Sequence, residues 1–166
     1  MAQPIRMFGD PVLKTKAAAV AEIDGKVARL VDNMFDSLYE SDNGLALAAP
    51  QIGVQKQIVV WDLDEEPMAI INPEITPVGP DVVEDWEGCL SIPDVRGRVP
   101  RAREIEVKAY DRRGHRISLH ARGFTARVIQ HETDHLDGVL FFDRMKTFES
   151  LTFLDEYSRY WAKDNS

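Results

Sequence analysis

The pentapeptide His131-Glu132-Thr133-Asp134-His135 constrains this chain more than any other feature. Imidazoles four residues apart lie one turn apart on the same helix face. That spacing lets both bind one metal ion, and the intervening glutamate can reach a water on that metal. Residues 124–137 carry the helical period, and Gly138 supplies a terminator. In helical projection His131, Glu132 and His135 share an arc with Val128, Ile129 and Leu136. Arg127, Gln130, Thr133, Asp134 and Asp137 occupy the other side. Polar groups turned inward are costly unless they are satisfied. A bound metal is one solution. Two hydrogen-bonded core histidines with a buried salt bridge are the other.

Two protein ligands leave a transition metal undersupplied, because a catalytic site wants three and an open position for water. A carboxylate or a thiolate can be the third. The one thiol of the chain is Cys89, within Glu87-Gly88-Cys89-Leu90-Ser91. A lone cysteine is commonly a small buried hydrophobe, and another reading pairs it with histidine as a nucleophile. A Cys/His/His site uses all three residues at once. A single cysteine also excludes an internal disulfide framework.

A third segment, Gly44-Leu45-Ala46-Leu47-Ala48-Ala49-Pro50-Gln51, sets small residues beside a polar amide. Small residues allow close backbone approach, and the Gln51 amide can donate a hydrogen bond to an oxyanion. A tight loop packed on the core is the alternative for this stretch.

The length of 166 residues predicts a single catalytic domain over 1–166. The net charge of −8 argues against a nucleic-acid binder. The arginines at 96, 98, 101, 103, 112, 113 and 116 read as a solvated face. No stretch approaches 18 apolar residues, and the first residues show no apolar leader segment. The expected setting is the cytoplasm, or an organelle after processing.

Ile23, Val27, Leu30, Val31, Met34 and Leu38 predict an amphipathic helix over 23–40, with Asp24 as N-cap and Asp42-Asn43-Gly44 as its stop. Short strands are expected at 58–61 and 68–71, the latter bounded by the prolines at 67, 73, 77 and 80. Alternation over 104–121 around Asp111-Arg112-Arg113-Gly114 predicts a hairpin. A buried strand is expected at 139–142 and a closing helix at 148–162. The expected fold class is α+β: short antiparallel β-sheets packed around a central HExxH helix, with an N-terminal amphipathic helix and a C-terminal helix.

Taken together and in this order, the Gly44–Gln51 loop, the Glu87–Ser91 segment and the His131–His135 helix resemble peptide deformylase. The similarity runs along nearly the whole chain, including Asp10-Pro11-Val12-Leu13 and the stretch from Ile92-Pro93 to Val99-Pro100-Arg101. The family's first motif usually has a glycine where this chain has Ala46, so a methyl group is expected to narrow the cleft or restrict the loop. The resemblance implies removal of the formyl group from the formyl-methionine of nascent polypeptides. Cys89, His131 and His135 are then the ligands of one divalent metal, with iron(II) first and zinc, nickel or cobalt as alternatives. A water in the fourth place has its pKa lowered towards about 7. Glu132 acts as general base and acid, and the Gln51 amide and the Leu90 N–H stabilise the oxyanion. Gly44, Leu45, Ala46, Trp86, Glu87, Phe124 and Val128 are the expected substrate-binding residues. An ion pair between Asp134 and Arg101 is expected to fix the catalytic helix. Formyl-Met peptides are the expected partners, and the ribosome is a further candidate. The rival readings are a metallopeptidase cutting internal bonds, and a non-catalytic module gripping chain N-termini.

Overall fold

The computed structural model describes residues 1–162, so the last four residues of the expected unit lie outside it. The first helix, α1, spans Gly25–Glu40. Asp24 caps it, its side chain accepting from the N–H groups of Lys26 and Val27 at 3.0 and 3.1 Å. After α1 the chain turns back, with Asn43 at φ 62°. Gly44 is required there by space: a Cβ would stand 2.5 Å from Ser41 Oγ and 3.0 Å from Leu38 Cδ1.

Seven strands and the second helix follow: β1 (Ala46–Ala48), β2 (Ile58–Leu63), β3 (Glu66–Pro77), β4 (Val82–Cys89), β5 (Ile92–Ala102), β6 (Glu104–Tyr110), β7 (Arg116–Arg122) and α2 (Gly123–Leu136). An eighth strand, β8, is the dipeptide Thr152–Phe153. One antiparallel sheet has the order β1-β2-β3-β6-β7, and the other has the order β4-β5-β8. Alternation sorts the larger sheet's side chains onto two faces. Val59, Trp61, Ile70, Ile105 and Val107 meet Ala126, Ile129 and Leu136 of α2. Ile58, Val60, Ala69 and Ile71 meet Val27, Val31, Met34 and Leu38 of α1. Cover on both faces explains the continuous apolar run at 58–61. A third cluster of Leu13, Ile92, Val99, Leu140 and Phe141 fills the space beside β5. The catalytic-type helix thus lies in the interior, as the pattern predicted.

Four expectations are corrected. The prolines at 67, 73 and 77 do not bound β3 but lie within it, at its start, at a register shift between Ile71 and Glu74, and at its end. These are places where a missing N–H is tolerated. The hairpin of β4 and β5, masked by Pro93 and Pro100, went unpredicted. Residues 139–142 do not form a strand. Phe141–Arg144 make a 3-10 turn closed by Asp143, whose carboxylate accepts from Leu140 N–H at 2.9 Å, and the turn buries Leu140 and Phe141 completely enough that no sheet is needed. The closing helix begins late. Thr152 and Phe153 pair with Arg96 and Val95 on the open edge of β5. Only then come a single α-turn at Leu154–Glu156 and a π-helical turn at Tyr157–Trp161. Among the described residues no helix is long and apolar enough to cross a membrane.

Candidate functional site

α2 is held rigidly at both ends. Gly138, at φ 72°, lets Gly138 and Val139 return their N–H groups to the carbonyls of His135 and Asp134 at 3.1 and 3.0 Å. A Cβ at Gly138 would stand 2.7 Å from the Lys14 carbonyl. Cys89 ends β4, immediately before the turn into β5. The two elements bring Cys89, His131 and His135 together, with their ligand atoms all within 4.8 Å of one another. Cys89 Sγ lies 3.5 Å from His135 Nε2.

The orientation of His131 is determined from behind. Its Nδ1 donates to Glu87 Oε1 at 2.8 Å, which leaves Nε2 and its lone pair for the cluster. Glu87 receives three more hydrogen bonds: from Arg101 Nε and Nη2, both at 2.9 Å, and from Arg127 Nη1 at 2.6 Å. Burial alone would raise its pKa, but the hydrogen bonds from His131 and Arg101 outweigh it and hold the carboxyl at about 2. Arg101 Nη1 also reaches Asp134 Oδ2 at 2.5 Å, the pairing anticipated from sequence, and Arg144 grips the same carboxylate at 3.0 and 3.1 Å. Arg127 further donates to the carbonyls of Val99 and Val83 at 2.8 and 2.7 Å, tying α2 to the β4–β5 hairpin.

Two residues placed on solvated faces by their sequence context are therefore buried: Arg101 is 5% exposed and Arg127 7%. The reason is the shared acid. Arg127 lies one helical turn before His131, and both address Glu87, a relation visible in the four-residue spacing but empty of meaning until Glu87 is placed.

Glu132 is buried, and its Oε2 has no hydrogen-bond partner. Burial raises its pKa to about 7. Burial opposes charge on His131 too, yet hydrogen bonds to Cys89 and Glu87 raise its pKa well above the ordinary value, whereas burial pushes His135 well below it. The pocket of a thiol, two imidazoles and two acids therefore favours one positive charge. A soft donor set of this kind, with an unsatisfied carboxylate beside it, fits a single divalent transition-metal ion.

Gln51 lies in the 3-10 turn Ala49–Ile52 that follows β1. Its Oε1 accepts from Ala48 N–H at 3.0 Å, so Nε2 faces Ser91 Oγ at 3.2 Å and Cys89 Sγ at 3.7 Å. Ser91, fully buried, was not anticipated as a neighbour of the site. A cleft of about 500 Å³ opens beside the cluster and is bordered by Leu45, Trp86, Leu90, Phe124 and Val128 together with Cys89, His131 and Glu132. Gly44, Ala46 and Glu87 also border it, although the carboxylate of Glu87 is turned onto its cationic partners. Ala46 lies in extended β1 opposite Trp61, and its methyl joins the core, so the backbone there bears no strain. His115 and His120 stand exposed on β7 and the turn before it, away from the cluster.

The profile of the family described as polypeptide deformylase matches residues 2–150. The chain belongs to that family. It is 46% identical over 146 residues to the peptide deformylase of Caldicellulosiruptor bescii, spanning 88% of this chain and 87% of that one. It is 49% identical over 144 residues to the peptide deformylase of Dictyoglomus turgidum, spanning 87% and 93%. Among solved structures, the peptide deformylase of Thermotoga maritima superposes with a TM-score of 0.85 at 39% identity, over 89% of this chain and 99% of that chain. The peptide deformylase of Synechococcus elongatus, solved in complex with actinonin, gives 0.85 at 39% identity, over 95% and 85%. The chain is thus a hydrolase of the deformylase family, and its Cys/His/His cluster is a site able to hold a metal ion.

Proposed function

We propose that this deformylase removes the formyl group from the N-terminal formyl-methionine of nascent polypeptides, releasing formate and a free amine. One observation carries the proposal: Cys89, His131 and His135 converge within 4.8 Å at the base of a cleft, beside a buried glutamate with an unpartnered oxygen. A divalent ion held by these three ligands supplies a Lewis acid that acidifies water and polarises the formyl carbonyl.

The remaining work falls to the chain. Glu132, with its pKa raised to about 7, can take a proton from water and return it to the leaving amine near neutral pH. Gln51 Nε2 and the N–H of Leu90 are the donors for the developing oxyanion, in a setting where burial strengthens each hydrogen bond. Glu87 holds the His131 ring so that its ligating nitrogen does not wander. Leu45, Phe124, Val128 and Trp86 offer apolar surface to the methionine side chain, while Gly44 and the backbone of Leu45 and Ala46 offer a strand edge to an extended peptide. Main-chain recognition suits an enzyme that accepts many sequences. Iron(II) is the ion we assign, on the family resemblance. Because thiolates oxidise readily, the iron-loaded protein should lose activity in air while the nickel-loaded protein keeps it. The assignment implies a cytoplasmic location and keeps the ribosome, where formylated chains are made, as a candidate partner.

The deciding experiment measures formate release from formyl-Met-Ala and acetyl-Met-Ala peptides, with metal analysis of the same samples. Formate should appear from the formyl peptide, and the acetyl group should stay in place. Glu132→Gln should retain the metal and lose at least ~10² of the rate; Cys89→Ala should lose the metal itself. A metal-loaded, unmutated protein that releases no formate would overturn the proposal.

A further inference from the structure

The matched family profile ends at residue 150, but the chain continues into a segment that borders the cleft. Ser150 Oγ accepts from Arg98 N–H at 2.9 Å, and Thr152 and Phe153 extend the pairing along β5 to Arg96 and Val95. This added strand delivers Leu154 to the cleft, where it is half-buried and stands on the same wall as Trp86. Two aromatic contacts fix Trp86 from the other side. Its ring centroid lies 4.9 Å from that of Tyr157, edge-on at 64°, and 5.6 Å from that of Trp161. Tyr157 and Trp161 belong to the π-helical turn, so the indole that faces the cleft is positioned by residues outside the family match.

Trp86 precedes Cys89 by three residues on β4, which places its Cα ~10 Å along the strand from the metal-ligating end at the usual strand rise. A formyl group at the metal with an extended peptide beside β4 would bring the side chains following the methionine to this point. We propose that Leu154 and Trp86 form an apolar subsite for the residues after the methionine, and that the segment 152–161 thereby sets this enzyme's sequence preference. The inference rests on the deformylase reading above and deepens it. The chemistry is desolvation: a leucine or phenylalanine side chain covers the Leu154–Trp86 surface, while an aspartate must give up water there without a partner.

The test uses the full-length, metal-loaded protein and the peptides formyl-Met-Ala-X with X as Phe, Leu, Ala, Lys or Asp. The unmutated enzyme should show kcat/KM about 10-fold higher for X = Phe than for X = Asp, carried by KM. Leu154→Ala should reduce the Phe advantage about 5-fold and leave X = Ala unchanged. Leu154→Asp should raise X = Lys and depress X = Asp, a charge signature that mere loosening of the segment cannot produce. In parallel, indole fluorescence reads the binding of the deformylated peptides Met-Ala-Phe and Met-Ala-Asp, which needs no catalysis. Tighter binding of Met-Ala-Phe, weakened in Leu154→Ala, supports the subsite even if no formate were released, an outcome that would strike the deformylase reading alone. Equal binding of the two peptides, or an equal effect of Leu154→Ala on every X, would overturn it.

Discussion

At the scale of single residues the site is a balance of buried charges. Glu87 is surrounded by two guanidiniums and an imidazole, and its removal or that of a partner leaves a charge uncompensated. Arg127→Met keeps the side chain's volume but strips Glu87 of a partner and two strand carbonyls of their donor. Breaking a buried pair in this way should cost about 3–5 kcal/mol, and calorimetry should show a Tm lower by at least ~6 °C. Acid should act through the same carboxylate. Its pKa falls from an ordinary 4.5 to about 2 in the fold, so its stabilising contribution is complete above pH 4.5 and lost as pH falls toward 2. Urea midpoints should decline across that window, and less steeply in Glu87→Gln. The metal-ligating trio and Glu132 were legible from sequence because helix spacing and a solitary thiol restrict the choices. The roles of Arg101 and Arg127 were not, because a helical projection gives the direction of a side chain and not the identity of what lies across from it. Only the folded hairpin brings Glu87 within reach of both.

Secondary structure was readable where one period dominated. The stripe of Val27, Val31, Met34 and Leu38 and the cap at Asp24 predicted α1 to within two residues at its start, and the alternation of Ile105, Val107 and Ala109 predicted β6 and its return strand. The long strands β3, β4 and β5 hid behind their prolines, whose effect depends on whether the missing N–H faces a neighbour or open space, a fact of pairing and not of composition. The C-terminal segment misled for a related reason. Leu151, Leu154, Tyr157 and Trp161 do recur at helical spacing, but the vacant edge of β5 captured the residues at 152 and 153 before a helix began. Helix ends can be tested through Gly138. Replacement by Ala forces a side chain into positive φ and against the Lys14 carbonyl. The expected loss is about 1–3 kcal/mol, read as a lower denaturation midpoint with the metal content unchanged.

On the level of the whole molecule, the site is assembled from parts distant in sequence: the turn after β1, the end of β4 and the middle of α2. An ion held by β4 and α2 together stabilises their docking as well as the chemistry, since whatever binds the folded state alone adds to stability. Stripping the protein with a chelator should therefore lower its Tm by several degrees, and restoring iron(II) or nickel should recover it. Cys89→Ala should show the lower value whether or not metal is added. An unchanged Tm on stripping would mean that the hairpin and helix are docked fully by the Glu87 network without the ion.

The turn carrying Gln51 has a consequence at this scale. Because the Ala48 N–H claims one end of that carboxamide, the other end can face only the sulfur side of the cavity. The polarity of the group is decided when the polypeptide folds, before any peptide arrives, so no conformational search is left to be made at the moment negative charge develops on oxygen.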